Sequence, residues 1–337
     1  MSDRSSDMMR FLETAGWADA QRHPVTGDAS NRRYDRLVQP DGATAILMDA
    51  PPDLAGDVQP FVDIAEHLRA HGISTPEIYH ADVPNGFLLL EDFGDALFAD
   101  LMAQTPEREL PLYRDAADVL LHLRGVPKPD LHTATAAWLG EMLAPLFDWY
   151  APDTSPAPIA TFREAFDRHA AEVAEVPTVM MLRDYHAQNL LFLPERRGIS
   201  RVGVLDFQDA MLAHPAYDLV SVLQDARRDV SPETEAEIMA YSLDRSGEDP
   251  AWFRRHYAIL GLQRNLRILG IFARLCLKDG KAQYLPMMPR VWGYIERNLS
   301  HPDLDALRPL LDACVPAPSP ALLAELKSRC PNTAIPS

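Results

Sequence analysis

From residue 97 to residue 330 the sequence reads as helix almost throughout, with one main break, Val179 to Asp209. Two short apolar runs lie inside it, Leu190 to Leu193 and Val202 to Leu205, separated by a turn at Glu195 to Ser200. Such runs predict a small hairpin. Extended backbone set among helices constrains the polar residues at its ends. Asp184 stands on the loop leading in, Asn189 at the start of the first strand, and Asp206 just past the second. Pairing the two runs brings all three to one end of the hairpin.

The first 91 residues have a different character. Residues 6 to 15 predict a short helix, and Asp28 to Val38 carries turn residues followed by an extended segment. Thr44 to Met48 (TAILM) predicts a strand stopped by Pro51 and Pro52. Val58 to Ala70 places Phe61, Val62, Ile64, Ala65 and Leu68 at helical spacing, with Gly72 as its terminator. Pro76 to His80 and Phe87 to Leu90 predict two more strands. The order strand, strand, helix, strand, strand fits an antiparallel sheet with one crossing helix. The expectation is an α+β chain with a small mixed lobe over 1–91 and a helical lobe over 92–337.

Acidic residues outnumber basic ones 49 to 32, for a formal charge of -17 over 337 residues. Such a surface repels phosphate backbones, so no nucleic-acid partner is expected. A bound nucleotide remains compatible, because a metal ion and a few arginines can set the field inside a cleft. Three cysteines are too few for a disulfide framework or a zinc site. The N-terminus lacks an apolar signal core, and no run approaches the ~20 apolar residues that cross a bilayer. These features predict a cytoplasmic protein with no membrane association, and no obligate protein partner is evident.

Phosphoryl transfer from ATP needs one carboxylate to orient the acceptor hydroxyl and take its proton. It needs a second carboxylate and an amide oxygen to hold magnesium against the phosphates. Asp184, Asp206 and Asn189 match those roles in that order, and Asp-x4-Asn followed by a strand ending in Asp-Phe is the kinase catalytic-loop pattern. His186 suits a general base by residue type but reads more simply as a loop residue beside Asp184 or the substrate.

The stretches Val179 to Leu193 (VMMLRDYHAQNLLFL), Val202 to Asp209 (VGVLDFQD) and His214 to Leu219 (HPAYDL) resemble the catalytic and metal loops of the aminoglycoside-phosphotransferase and choline-kinase-like family. The resemblance implies a protein-kinase-like bilobal fold, with ATP and Mg2+ as cofactors. It makes Asp218 a structural carboxylate that fixes the catalytic loop, and Glu91, Asp92 and Phe93 an interlobe hinge facing adenine. It puts Glu66, on the crossing helix, at the place of a kinase ion-pair glutamate. Gly27 to Tyr34 (GDASNRRY), Leu47 to Pro52, Leu182 to His186 and Gln263 to Leu266 further resemble bacterial anomeric kinases of N-acetylmuramate and N-acetylglucosamine. That subgroup phosphorylates C1 of cell-wall amino sugars for recycling.

Two positions depart from the family pattern. Leu182 replaces the usual histidine before the catalytic dipeptide. The phosphate-pairing lysine of the third strand has no counterpart: only Lys128, Lys278, Lys281 and Lys327 occur, and Met48 or a neighbour stands in its place. Arg32 and Arg33 are the expected substitutes, on a nucleotide-covering loop with Ser30 and Asn31, because a guanidinium fork matches phosphate oxygens. On the substrate side the expected residues are His186, Gln188, Asp209, Gln263, Arg264 and Arg267. An arginine there suits the lactyl carboxylate of N-acetylmuramate, or bridges helices inside the helical lobe. Two other functions fit less closely: a kinase of aminoglycosides, whose positive charge suits an acidic protein, and a non-catalytic pseudokinase that binds ligand in the cleft.

Overall fold

The computed structural model describes residues 4–25, 31–176 and 178–331. The chain forms two compact units, Met1–Glu109 with Gln188–Ala210, and Leu110–Ala187 with Met211–Ser337.

The first unit is built on a five-stranded antiparallel sheet: β1 (Gln21–Val25), β2 (Arg33–Val38), β3 (Thr44–Asp49), β4 (Ile78–Asp82) and β5 (Phe87–Glu91), in the order β1-β2-β3-β5-β4. Strand alternation decides which side chains share a face. Leu37, Ala45, Leu47, Phe87 and Leu89 form a buried cluster with Met8, Phe11 and Leu12 of the helix Arg4–Thr14. Tyr34, Met48 and Leu88, paired across three strands, alternate to the other face. The helix Gln59–Ala70 buries Phe61, Ile64, Ala65 and Leu68, as its spacing predicts, and Gly72 follows it at φ +81°.

β1 escaped the sequence reading. All five of its residues are exposed, so no apolar alternation marks it. It is an edge strand, which also accommodates Pro24. The expected hairpin is present as β7 (Leu190–Phe192) and β8 (Val202–Val204), paired antiparallel. The single division expected near residue 92 differs from the compact units, because this hairpin bonds to the sheet segment. Val204 N–H donates to the Ser74 carbonyl and Phe192 N–H to the Ala96 carbonyl, each at 2.8 Å. Ser74 Oγ donates to the Ser200 carbonyl at 2.7 Å, and Ser200 Oγ to the Gly72 carbonyl at 2.8 Å.

The second unit is mainly helical. Its longest helix, Pro250–Leu277, is buried along most of its length, with Asp249 as N-cap. A second small sheet, β6 (Val179–Met181) with β9 (Met211–Ala213), brackets the break in the helical pattern. At three residues each, these strands are too short to read from sequence. No helix among the described residues is long and apolar enough to cross a membrane.

Gly270 lets the long helix approach the chain at Pro145 and Leu146. A Cβ at this position would lie 2.2 Å from Leu146 N and 2.3 Å from Pro145 C. Backbone atoms cannot swing aside as a side chain can, so Gly270→Ala is expected to destabilise the protein by about 2–3 kcal/mol. Gly293, inside the helix Met288–Leu299, has nothing within 4 Å of its Cβ position. Gly293→Ala is expected to stabilise by about 0.5–1 kcal/mol through helix propensity. Urea midpoints that move in opposite directions check the pair.

Candidate active site

In the second unit the loop carrying Asp184 is held from the helix Ala216–Leu223. Asp218 is buried on that helix. Its Oδ2 accepts Leu182 N–H at 2.6 Å and its Oδ1 accepts Arg183 N–H at 3.0 Å. Ser221, three residues on and on the same face, donates from Oγ to the Arg183 carbonyl at 3.1 Å. Arg183 thereby sits at φ +68°, a left-handed conformation that costs a non-glycine residue about 1–2 kcal/mol. Beyond the helix, the buried Asp225 accepts Arg227 N–H at 2.8 Å and also the N–H of Ala187, at the far end of the loop. Two carboxylates and one hydroxyl therefore fasten the stretch from Leu182 to Ala187. Asp184 is partly exposed within it, and the buried Tyr185 donates its hydroxyl to the Ala116 carbonyl at 2.9 Å.

Burial pushes Asp218 up to about 7, against the two N–H donors and the positive charge of Arg264. Burial also raises Asp225, opposed by the Arg227 N–H bond and by the charges of Arg227 and Arg264. Arg264 is thus a cation shared by both clamp carboxylates. It is 6% exposed, and its Nη1 has no hydrogen-bond partner among the described residues.

The same helix is anchored at its start by a histidine relay whose tautomers follow from its ends. Ala216 N–H donates to His214 Nδ1 at 3.0 Å, so the His214 proton is on Nε2. That proton goes to His256 Nδ1 at 2.9 Å, which leaves His256 Nε2–H to donate to Glu172 at 3.1 Å. Arg255 grips Glu172 at 2.6 and 2.7 Å and holds its carboxyl down at about 2.

In the first unit Asn189 begins β7, and Asp206 follows β8 at φ +57°. Asn189 Nδ2 is 3.4 Å from Asp206 Oδ2, and Gln208 Nε2 donates to Asp206 Oδ1 at 2.8 Å. The next residue, Phe207, is fully buried against Phe61, with ring centroids 4.8 Å apart. This packing leaves Asp206 exposed at the end of the hairpin. One carboxylate and one amide form a hard-oxygen donor set that suits magnesium, which normally takes only one or two protein carboxylates plus phosphate and water oxygens. Arg32 hydrogen-bonds the Tyr34 side chain, and the charge of Asp206 acts on the Tyr34 phenol.

The remaining predicted positions divide. Ser30 lies outside the described residues. Asn31 is exposed and donates from Nδ2 to the Leu54 carbonyl at 2.7 Å. Arg33 is exposed at the start of β2, whereas Arg32 is partly buried. Glu91 pairs with Arg196, whose guanidinium lies 5.2 Å from the Phe93 ring centre, and Arg36 holds Asp92 at 2.7 Å. Glu66 is exposed and forms no ion pair among the described residues, because its helix turns that side to solvent. Gln188 and Asp209 are exposed. His186 is buried, 3.5 Å from Arg227. Gln263 is fully enclosed and donates to the Leu139 carbonyl at 3.0 Å, which ties two helices together rather than opening toward a ligand. Arg267 is partly exposed. Asp225, Ser221 and Tyr34 were not singled out in the sequence. The spacing of 218 and 221 on one helical face was the available signal for Ser221.

The phosphotransferase enzyme family matches residues 21–256, and the chain belongs to that family. The N-acetylmuramate/N-acetylglucosamine kinase of Caulobacter vibrioides is 37% identical, in a match covering 94% of this chain and 98% of that one. Among solved structures, the choline kinase LicA of Streptococcus pneumoniae is 12% identical, with 90% of this chain and 99% of that one covered and a TM-score of 0.58. The amicoumacin kinase hAmiN, in complex with AMP-PNP, Ca2+ and Ami, is 15% identical, with 87% and 94% covered and a TM-score of 0.61. At such identities the two structures establish the protein-kinase-like phosphotransferase fold.

The histidine relay makes stability depend on pH with a definite sign. Burial first, then unfavourable electrostatics with His256 and Arg124, lowers His214 from 6.5 to about 3, and burial likewise lowers His256. Below pH 6.5 the unfolded chain binds protons that the folded chain refuses, so stability present above that pH is lost as the pH falls toward 3. For His214 alone the loss by pH 5 is about 2 kcal/mol. Urea unfolding at pH 8 and pH 5 should show a difference about 2 kcal/mol smaller in His214→Asn than in the unaltered chain. An equal difference in both would remove His214 from this role.

Proposed function

We propose that this chain is an ATP-dependent, magnesium-dependent kinase that phosphorylates the anomeric hydroxyl of N-acetylmuramate and N-acetylglucosamine, in recycling of cell-wall amino sugars. The observation that carries the reading is the near-full-length match to the Caulobacter kinase of those two sugars. The clamped Asp184 loop supports the chemistry, and the AMP-PNP bound to hAmiN supports the nucleotide.

Asp184 orients the C1 hydroxyl and takes its proton as the oxygen forms a bond to the γ-phosphorus of ATP. The bond from that phosphorus to the bridging β–γ oxygen breaks, and ADP leaves. Asn189 and Asp206 supply the protein oxygens for magnesium. Bound there, the ion would neutralise phosphate charge. Arg32 adds cationic charge at the phosphates, with Asn31 and Ser30 on the covering loop and Arg33 at its exposed end. The backbone of Glu91 to Phe93 faces adenine. On the acceptor side we assign His186, Gln188, Asp209, Arg264 and Arg267 to the sugar and its lactyl carboxylate, with Asp218 holding the loop.

The test is incubation with ATP, magnesium and each sugar, followed by 31P and 13C NMR of the product. Phosphate on C1 is expected for both sugars. Asp184→Asn should lower kcat by at least about 10³-fold, since it removes both the proton acceptor and the orienting charge. Phosphate on an aminoglycoside, with neither sugar turned over, would overturn the acceptor. Full turnover in Asp184→Asn would overturn the role of that residue.

A further inference from the structure

The three cysteines carry free thiols, and two of them meet in the second unit. Cys276 lies in the last turn of the long helix Pro250–Leu277 and is fully buried. Cys330 stands two residues past the helix Pro320–Ser328 and is partly exposed. They are 54 positions apart in the chain, yet their contacts are reciprocal. The Cys330 thiol donates to the Cys276 carbonyl at 3.1 Å. The Cys276 thiol donates to the Leu326 carbonyl, four residues before Cys330, at 3.6 Å. Each sulfur therefore lies against the backbone of the other's segment. Cys314 is separate: it is buried, and its thiol turns back to the Leu310 carbonyl at 3.3 Å.

The helix Pro320–Ser328 is lightly held. Of its nine residues Leu326 alone is buried. Ser319 caps its start by accepting Leu322 N–H at 3.2 Å, and its other end meets the long helix at the cysteine pair. A short helix with one buried side chain opens readily, so a covalent tie at its end restrains it more than the same tie would restrain a packed core.

We propose that Cys276 and Cys330 are a dithiol–disulfide modification site, closed by an oxidised small disulfide of the glutathione class, and that the bond staples the helix Pro320–Ser328 to the end of the long helix. Accessibility sets the order of steps. The Cys330 thiolate attacks one sulfur of the small disulfide, whose S–S bond breaks and releases one thiolate. The Cys276 thiolate then attacks the Cys330 sulfur, and the second small thiolate leaves. The two protons given up by the protein thiols go to the two released thiolates. The protein is oxidised by two electrons and the small disulfide is reduced by two. The reverse step is hindered. Burial, then the adjoining Cys330 thiol, pushes Cys276 up to about 12. A reductant reaches the Cys330 sulfur and must expel Cys276, a poor leaving group, so the bond persists once made. A single bond of this kind needs no wider framework of cysteines.

The test is incubation of the folded full chain with oxidised glutathione, alkylation of the remaining thiols with iodoacetamide in urea, and tryptic digestion without reductant. Mass spectrometry should find peptide 275–278 joined to peptide 330–337, with Cys314 alkylated. Limited proteolysis of the folded chain reads the staple. Lys327 is exposed on the tied helix, and oxidation should slow tryptic cleavage there by at least about 10-fold. Cys330→Ser should form no link and show no slowing, and the peptide map of the unaltered chain decides the bond without that variant. Recovery of Cys330 as a mixed disulfide with glutathione, beside an alkylated Cys276, would overturn the proposal. Links from Cys314 in comparable yield would do the same, since they mark chemistry of the unfolded chain. The expected link with unchanged cleavage at Lys327 would overturn the staple. These readouts use neither ATP nor sugar, so their failure and a failure of the kinase reading are distinct.

Discussion

The buried carboxylate of Asp218 is the interaction on which the loop geometry depends. It accepts two consecutive N–H groups, from Leu182 and Arg183, at the point where Arg183 takes a left-handed φ of +68°. Hydrogen bonds to a charged group contribute about 1.5–3 kcal/mol each, which exceeds the cost of one left-handed residue. The conformation therefore persists without a glycine, and the next residue, Asp184, is presented by a fixed backbone. Asp225 does the same at the other end through Ala187. A loop fastened at one end pivots; a loop fastened at both has its backbone held.

Two carboxylates cannot be buried in one region without a counter-charge. Arg264 supplies it from the long helix Pro250–Leu277, and its charge acts on both. This gives the arginine a structural duty even where it also meets substrate. It also explains the burial of the neighbouring Gln263 and Asn265, which tie the long helix to Leu139 and Gln224 by side-chain hydrogen bonds. The histidine relay adds a third support, since it sets the first turn of the helix that carries Asp218 and Ser221.

The parts legible in the sequence are those whose signal is local. The apolar runs of β7 and β8 mark the hairpin, and their pairing fixes Asn189 and Asp206 at its end without any knowledge of distant contacts. The helices around Phe61 and Leu260 show their periodicity directly. Three things were hidden for physical reasons. β1 is an exposed edge strand with no buried side chain, so no apolar alternation marks it. β6 and β9 are separated by a long stretch of chain and are too short for alternation to register. Asp225, Tyr34 and the Arg264 counter-charge are defined by their partners, and partners distant in sequence cannot be read from the residue itself. Glu66 shows the reverse error: its place on the crossing helix was legible, but the face it occupies points to solvent.

A chain of net charge -17 binding a polyanion appears contradictory until distance is considered. At physiological ionic strength the Debye length is about 8 Å, so most of the 49 acidic side chains are screened from any one point. What matters at the phosphates is the charge within a few ångströms, where water is displaced and the local dielectric falls. In the first unit that balance is controlled by how its arginines are partnered. Arg36, Arg69 and Arg196 face carboxylates and contribute little net field of their own.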